Sequence, residues 1–185
     1  MAGEERKHEG DLKRSLWEEA NRVIVDATYS GRSHQAMGVR WDRWNRMLGV
    51  PSVVLSALLA GGAGISAIAG GHRWITASLA LVAASLASAR GFLKPDEKAE
   101  SHGLKGDRLI SLRNDAITFQ QVDLLSSIDL DILTSKSKEL SARRNALREQ
   151  PPHHINQKTY EMTKKSIEKG ESNYENDKLW KDSPF

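Results

Sequence analysis

The chain has 185 residues, a length that suits one domain or a domain with appendages. It has no cysteine, which excludes disulfides, thiolate metal sites and cysteine nucleophiles. Its formal net charge of +3 and mean hydropathy of -0.52 are values of a soluble protein, but both averages hide an uneven distribution.

Residues 1–46 carry nine basic and eight acidic side chains. The opening run MAGEERKHEGDLKR is charged and has no apolar stretch, so no secretory signal is expected. It does not begin Met-Gly, so no myristoyl anchor is expected either. Residues 10–34 read as an amphipathic helix: Leu12, Leu16, Ala20, Val23 and Ala27 recur at steps of four and three, which places them on one face. Gly31 is expected to loosen this helix. Arg40, Arg43 and Arg46 follow, interleaved with Trp41 and Trp44, which suit the membrane–water boundary.

The next block, MLGVPSVVLSALLAGGAGISAIAGG, runs from residue 47 to 71 without a charged side chain. A helix needs about 20 apolar residues to cross the hydrocarbon. Pro51 is expected in its first turn, where a missing N–H costs little. A second block runs from Trp74 to Leu93, with Arg90 near its end placed to reach the headgroups alongside Lys94. Residues 70–73 leave only a short connection, so the two helices are expected to be antiparallel neighbours. A core helix of a soluble protein normally carries a polar stripe, and apart from Arg90 near the end of the second block and His72 in the connection these blocks offer only Ser and Thr as polar side chains. Arg32, Arg40, Arg43 and Arg46 precede the pair and Arg90, Lys94 and Lys98 follow it, against Arg73 alone in the turn, so both termini are expected in the cytoplasm.

The expected fold is an all-α integral membrane protein: a two-helix transmembrane hairpin with long cytoplasmic helices, assembling as a homo-oligomeric bundle. Four regions follow: a cytoplasmic amphipathic region at 1–46, the hairpin at 47–94, a cytoplasmic helical sensor and assembly region at 95–170, and a polar tail at 171–185. In the third region, Leu109, Leu112, Ala116 and Phe119 form one seam and Leu133, Leu140 and Leu147 another. Pro151 and Pro152 stop a helix. A last short helix is expected at about 156–169, with Tyr160, Thr163 and Ile167 on one face and Gly170 at its end.

The hairpin is rich in small residues. Ser52, Ser56 and Ala60 repeat at every fourth position, as do Gly62 and Ser66, and Ser78 and Ser85 lie in the second block. In lipid such residues let helix backbones approach closely, and they serve either as packing surface or as the lining of a pore. Two helices enclose no conduit, so a pore requires several copies. Neither block contains Asp, Glu or Lys, which argues against an ion-coupled pump. Trp41, Trp44, Trp74 and Arg90 are the expected interface anchors.

No G-x-S-x-G, phosphate-binding glycine loop or H-E-x-x-H occurs, so no enzyme, cofactor or catalytic residue is expected. His153 and His154 are adjacent, point apart on a helix and lack partner ligands, so no metal site is expected. The charge of the last region is divided: residues 96–131 carry eight acidic and four basic side chains, residues 134–169 nine basic and four acidic. The candidate anion-binding residues are Lys136, Lys138, Arg143, Arg144, Arg148, Lys158, Lys164 and Lys165. The bland alternative is a solvated face paired with the acidic half.

Taken in order, the amphipathic helix leading through RWDRWNRMLGVPS, the GGHRW turn, the span ending ARGFLKPDEKAESH, and LSARRNALREQPPHHINQKTYEMTKKSIEKG resemble the SLATT family over about residues 12–170. These are two-transmembrane effectors found beside nucleotide-signalling genes in bacterial anti-phage defence. The resemblance implies a homo-oligomeric effector, expected to be a tetramer, in the inner membrane. It implies a ligand-gated pore that depolarises the infected cell and arrests growth. The ligand would be a nucleotide or single-stranded oligonucleotide made by a partner nucleotidyltransferase. The competing expectation is a non-conducting, membrane-anchored scaffold recruiting partners through its cytoplasmic helices.

Overall fold

In a computed structural model, which describes residues 2–61, 73–152 and 154–170, every regular element is helical and no strand occurs among the described residues. The helices are α1 (Ala2–Ala60), α2 (Arg73–Leu93), α3 (Pro95–Thr118), α4 (Leu130–Glu149) and α5 (Gln157–Glu168). A π-helical turn, Phe119–Asp123, continues α3. The chain divides into two compact units, one made of Met1–Met37 with Ser101–Phe185, the other of Gly38–Glu100.

The first unit has a conventional core. Leu16, Ala20, Val23 and Ile24 of α1 pack with Leu112 and Ala116 of α3, Phe119 and Leu124 beyond it, and Leu133 and Leu140 of α4. The seams expected from spacing are therefore the buried faces of α1, α3 and α4, with Leu12 and Leu147 at the margin. Gly31 does not loosen α1. A Cβ there would lie 3.1 Å from Ile110 Cδ1 and 3.2 Å from Leu109 Cβ, and one at Gly106 would lie 2.7 Å from Gln35 Cγ and 3.0 Å from the Gly31 carbonyl. The two glycines let α1 and α3 approach more closely than side chains permit.

The helix ends follow local chemistry. Asp129 caps α4 by accepting from the Asp131 N–H at 2.9 Å, and Asn156 caps α5 by accepting from the Lys158 N–H at 2.9 Å. α4 stops at Glu149, before the proline pair. Gly170, at φ 74°, follows α5. Thr159 is the buried residue of α5, and Thr163 and Ile167 are half-buried on the expected face, whereas Tyr160 is exposed.

The second unit is built differently. α1 continues without a break through Pro51, which lies in the helix interior rather than in a first turn. Pro51 donates no N–H to the ladder. Asn45 Oδ1 accepts from Arg90 Nε at 2.9 Å, and Ser52 Oγ donates to the Ala83 carbonyl at 3.4 Å, so α1 and α2 run antiparallel here. Gly49 admits the Arg90 guanidinium, whose Nη1 would be 3.3 Å from a Cβ at that position. Lys94, at φ 44°, breaks α2 from α3, and Pro95 opens α3 where its missing N–H is no loss.

Apolar side chains of this unit face outward. Trp74 is 71% exposed, Leu81 70%, Val53 63% and Met47 60%. Among the described residues one helix is long and apolar enough to cross a membrane, and only 6% of its apolar window is buried. The first apolar block continues from α1 beyond Gly61 into residues 62–72, so its C-terminal half, and the turn, lie outside the described residues.

Candidate functional site

The eight basic residues expected to form one cluster are dispersed by ion pairing. Lys136 Nζ lies 3.0 Å from Asp123 Oδ2, Arg143 Nη1 2.9 Å from Asp115 Oδ2, and Lys164 Nζ 3.8 Å from Glu168 Oε1. Lys138, Lys158 and Lys165 are exposed. Arg144 and Arg148 alone come together in one cavity, on successive turns of α4.

That cavity has a volume of about 210 Å³ and lies within the first unit. α1 supplies Asp26, Ser30 and His34, α3 supplies Lys105 and Leu109, and α4 supplies Arg144, Leu147 and Arg148. Two open recesses share its walls. One, of about 300 Å³, adjoins at Leu147 and carries Arg108 and Arg143. The other, of about 360 Å³, adjoins at Asp26 and Arg144 and carries Asn21 and Arg22. Lys158, Lys164 and Lys165 line none of the three.

Arg144 is held loosely. Its Nη1 is 3.8 Å from Glu19 Oε1, beyond hydrogen-bond distance, and that oxygen already accepts from Ser141 Oγ at 2.7 Å. Arg144 Nε and Asn21 Oδ1 are both buried without a partner. The guanidinium, half-buried overall, stays charged, so an unmade bond at its buried Nε is costly.

Beside the cavity, His34 Nδ1 and His102 Nδ1 are 2.8 Å apart, and both rings are buried. One nitrogen donates and the other accepts, so the contact requires at least one neutral ring. Burial lowers the pKa of His34 from 6.5 to about 4, with the Lys105 charge and His102 adding to the effect. Burial, then Lys105 and His154, also hold His102 below its ordinary value. Lys105 is buried, and its ammonium donates to the carbonyls of Gln150 and Pro152; burial lowers its pKa too. It thereby ties α3 to the segment after α4.

In the second unit Ser52 is buried against α2, whereas Ser56, Ala60, Ser78 and Ser85 are exposed, and Ser85 Oγ donates to the Leu81 carbonyl at 2.8 Å. Gly62 and Ser66 lie outside the described residues. Trp44 and Trp74 are exposed; Trp41 lies 4.5 Å beneath the Lys98 ammonium. Arg90 bonds Asn45 and so joins the two helices.

Spacing did not reveal His34, His102, Lys105 or Asn21. The two histidines are 68 positions apart and meet only because α1 and α3 cross. No protein-family model matches the chain, and no curated protein or solved structure matches it.

Proposed function

We infer that the protein is a pore-forming membrane effector, controlled by an anionic ligand of the nucleotide or oligonucleotide class. Its hairpin at 47–94 crosses the bacterial inner membrane, with both termini in the cytoplasm. Several copies, four by expectation, surround the conduit. The observation that carries this reading is the outward-facing apolar surface of residues 38–61 and 73–100. In water, each fully exposed Leu, Val or Phe forgoes about 1.5–3 kcal/mol of burial, and lipid removes that penalty. The resemblance to the SLATT effectors supports the ligand class and the defence role, in which depolarisation arrests growth. Small residues on the exposed faces, Ser56, Ala60, Ser78 and Ser85, suit close packing between copies.

Purified protein reconstituted in liposomes is expected to pass small ions and to change conductance when nucleotides or single-stranded oligonucleotides are added. No conductance under any of these conditions would sink the reading, as would a monomer in detergent. A membrane-anchored scaffold is the second reading, favoured by Val122, Leu125 and Ile132, which are exposed on the first unit. Ser56→Phe or Ser85→Phe changes toxicity in a pore but leaves a scaffold's partner binding intact.

A further inference from the structure

We propose that the cavity around Arg144 is a phosphate-ester site, with Arg144 and Arg148 holding the phosphate and Asp26 and Asn21 accepting hydrogen bonds from the sugar beside it. This rests on the ligand-controlled reading for its biological role, but its binding chemistry is independent of any pore.

The first argument is the unmade bond. Arg144 Nε is buried without a partner, and the carboxylate nearest its Nη1 is engaged by Ser141. Such an orphan in a folded chain calls for an occupant, and a phosphate oxygen is the acceptor to which a guanidinium is best matched. The second argument is the balance of charge. Lys105, Arg144 and Arg148 line the cavity against Asp26 alone. A free carboxylate ligand or a halide would satisfy the arginines but not Asn21 Oδ1, which is buried without a donor in the adjoining recess. A sugar phosphate offers acceptors on one side and hydroxyl donors on the other.

Size narrows the ligand further. At about 210 Å³ the cavity falls below the roughly 300–1,000 Å³ of pockets that enclose a drug-sized molecule, so it holds a phosphate and one ring and leaves the remainder outside. The two recesses that share its walls carry Arg22 on one side and Arg108 with Arg143 on the other. Further phosphates of a longer ligand meet a cation on each side, in competition with Glu19 for Arg22 and with Asp115 for Arg143. Affinity should therefore rise from inorganic phosphate to AMP to a short single-stranded DNA.

The test is calorimetric titration of the full chain in neutral detergent with those three probes, and with vesicles containing phosphatidylglycerol. AMP and DNA are expected to bind, DNA more tightly. Arg144→Gln should weaken both by about tenfold to a hundredfold, the worth of one charge-assisted hydrogen bond. Arg144→Lys should recover only part of the loss, and Lys164→Gln, on α5, should leave binding unchanged. If Arg144→Gln fails to fold, Arg148→Gln, whose side chain is exposed, gives the same reading. Failure of AMP and DNA to bind the unaltered chain overturns the proposal. So does undiminished binding in both arginine variants, or binding of the lipid vesicles alone. Intact binding without conductance would instead overturn the pore and leave the site standing. A conductance response with unaltered affinity in Arg144→Gln would overturn the site and leave the pore.

Discussion

Residues 1–37 with 101–170 bury Ile24, Leu112, Phe119 and Leu133 almost completely, while residues 38–100 turn Trp74, Leu81, Val53 and Phe92 outward. The two units share helical structure and differ in where their apolar side chains go. The first stabilises itself by removing them from water, and its polar contacts, such as Arg113 Nε to Thr28 Oγ1 at 3.1 Å, reach across helices. The second joins its two helices through Arg90 to Asn45 and Ser52 to the Ala83 carbonyl, and its large apolar side chains stay on the outside. The lesson is that helix formation and core formation are separate events: the second unit accomplishes the first while its described apolar side chains stay outside any core of its own.

The largest expected effect tests the core of the first unit. Phe119→Ala should lower unfolding free energy by about 3–5 kcal/mol, whereas Leu81→Ala on the outward face of α2 should leave that unit's urea midpoint unmoved. Equal losses from both would erase the contrast. Next, Val82→Asp places a charge in the middle of the second apolar block and should cost about 2.5–3.5 kcal/mol of membrane insertion, read as loss from the carbonate-resistant membrane fraction. Undiminished membrane retention would show that α2 lies outside the bilayer.

The histidine pair sharpens the contrast through pH. His34 titrates at about 4 in the folded chain and near 6.5 when unfolded, so the unfolded state takes up the proton first. Its stabilisation is complete above about pH 6.5 and drains as pH falls toward 4, up to roughly 3 kcal/mol in total. Lys105 and His154 face the pair and add to the repulsion. Urea midpoints measured from pH 7.5 to 4.5 should fall, and His34→Gln should flatten the profile; an equally steep fall in that variant would assign it elsewhere. Gly106→Ala follows, at about 1–3 kcal/mol, because its Cβ meets the α1 backbone as well as Gln35. The smallest effect is loss of the α4 cap: Asp129→Ala should cost about 1 kcal/mol, visible as faster amide exchange in residues 130–133.

Much of the helical architecture was legible because periodicity reports directly on which side chains share a face. Leu109, Leu112, Ala116 and Phe119 are buried as their spacing implied, and Pro151 and Pro152 follow the end of α4. Local signals were less reliable where neighbours overrode them. Gly31 looked like a flexible point and is a contact surface, and Pro51 looked like a helix start and lies within one. The basic run at 134–169 was legible as charge, but its grouping was not. Lys136 and Arg143 find Asp123 and Asp115, from segments that a charge count along the chain treats as separate.

From the sequence alone follow the helical class, the apolar blocks and the absence of cysteine chemistry, since these depend on residue type and spacing along one chain. Only the tertiary structure decided that His34 meets His102, that Lys105 is buried between carbonyls, and that Arg144 and Arg148 share a cavity with Asp26. Those pairings join residues far apart in the chain. The first of them depends on how closely α1 and α3 approach at Gly31 and Gly106, a distance that local propensity does not encode.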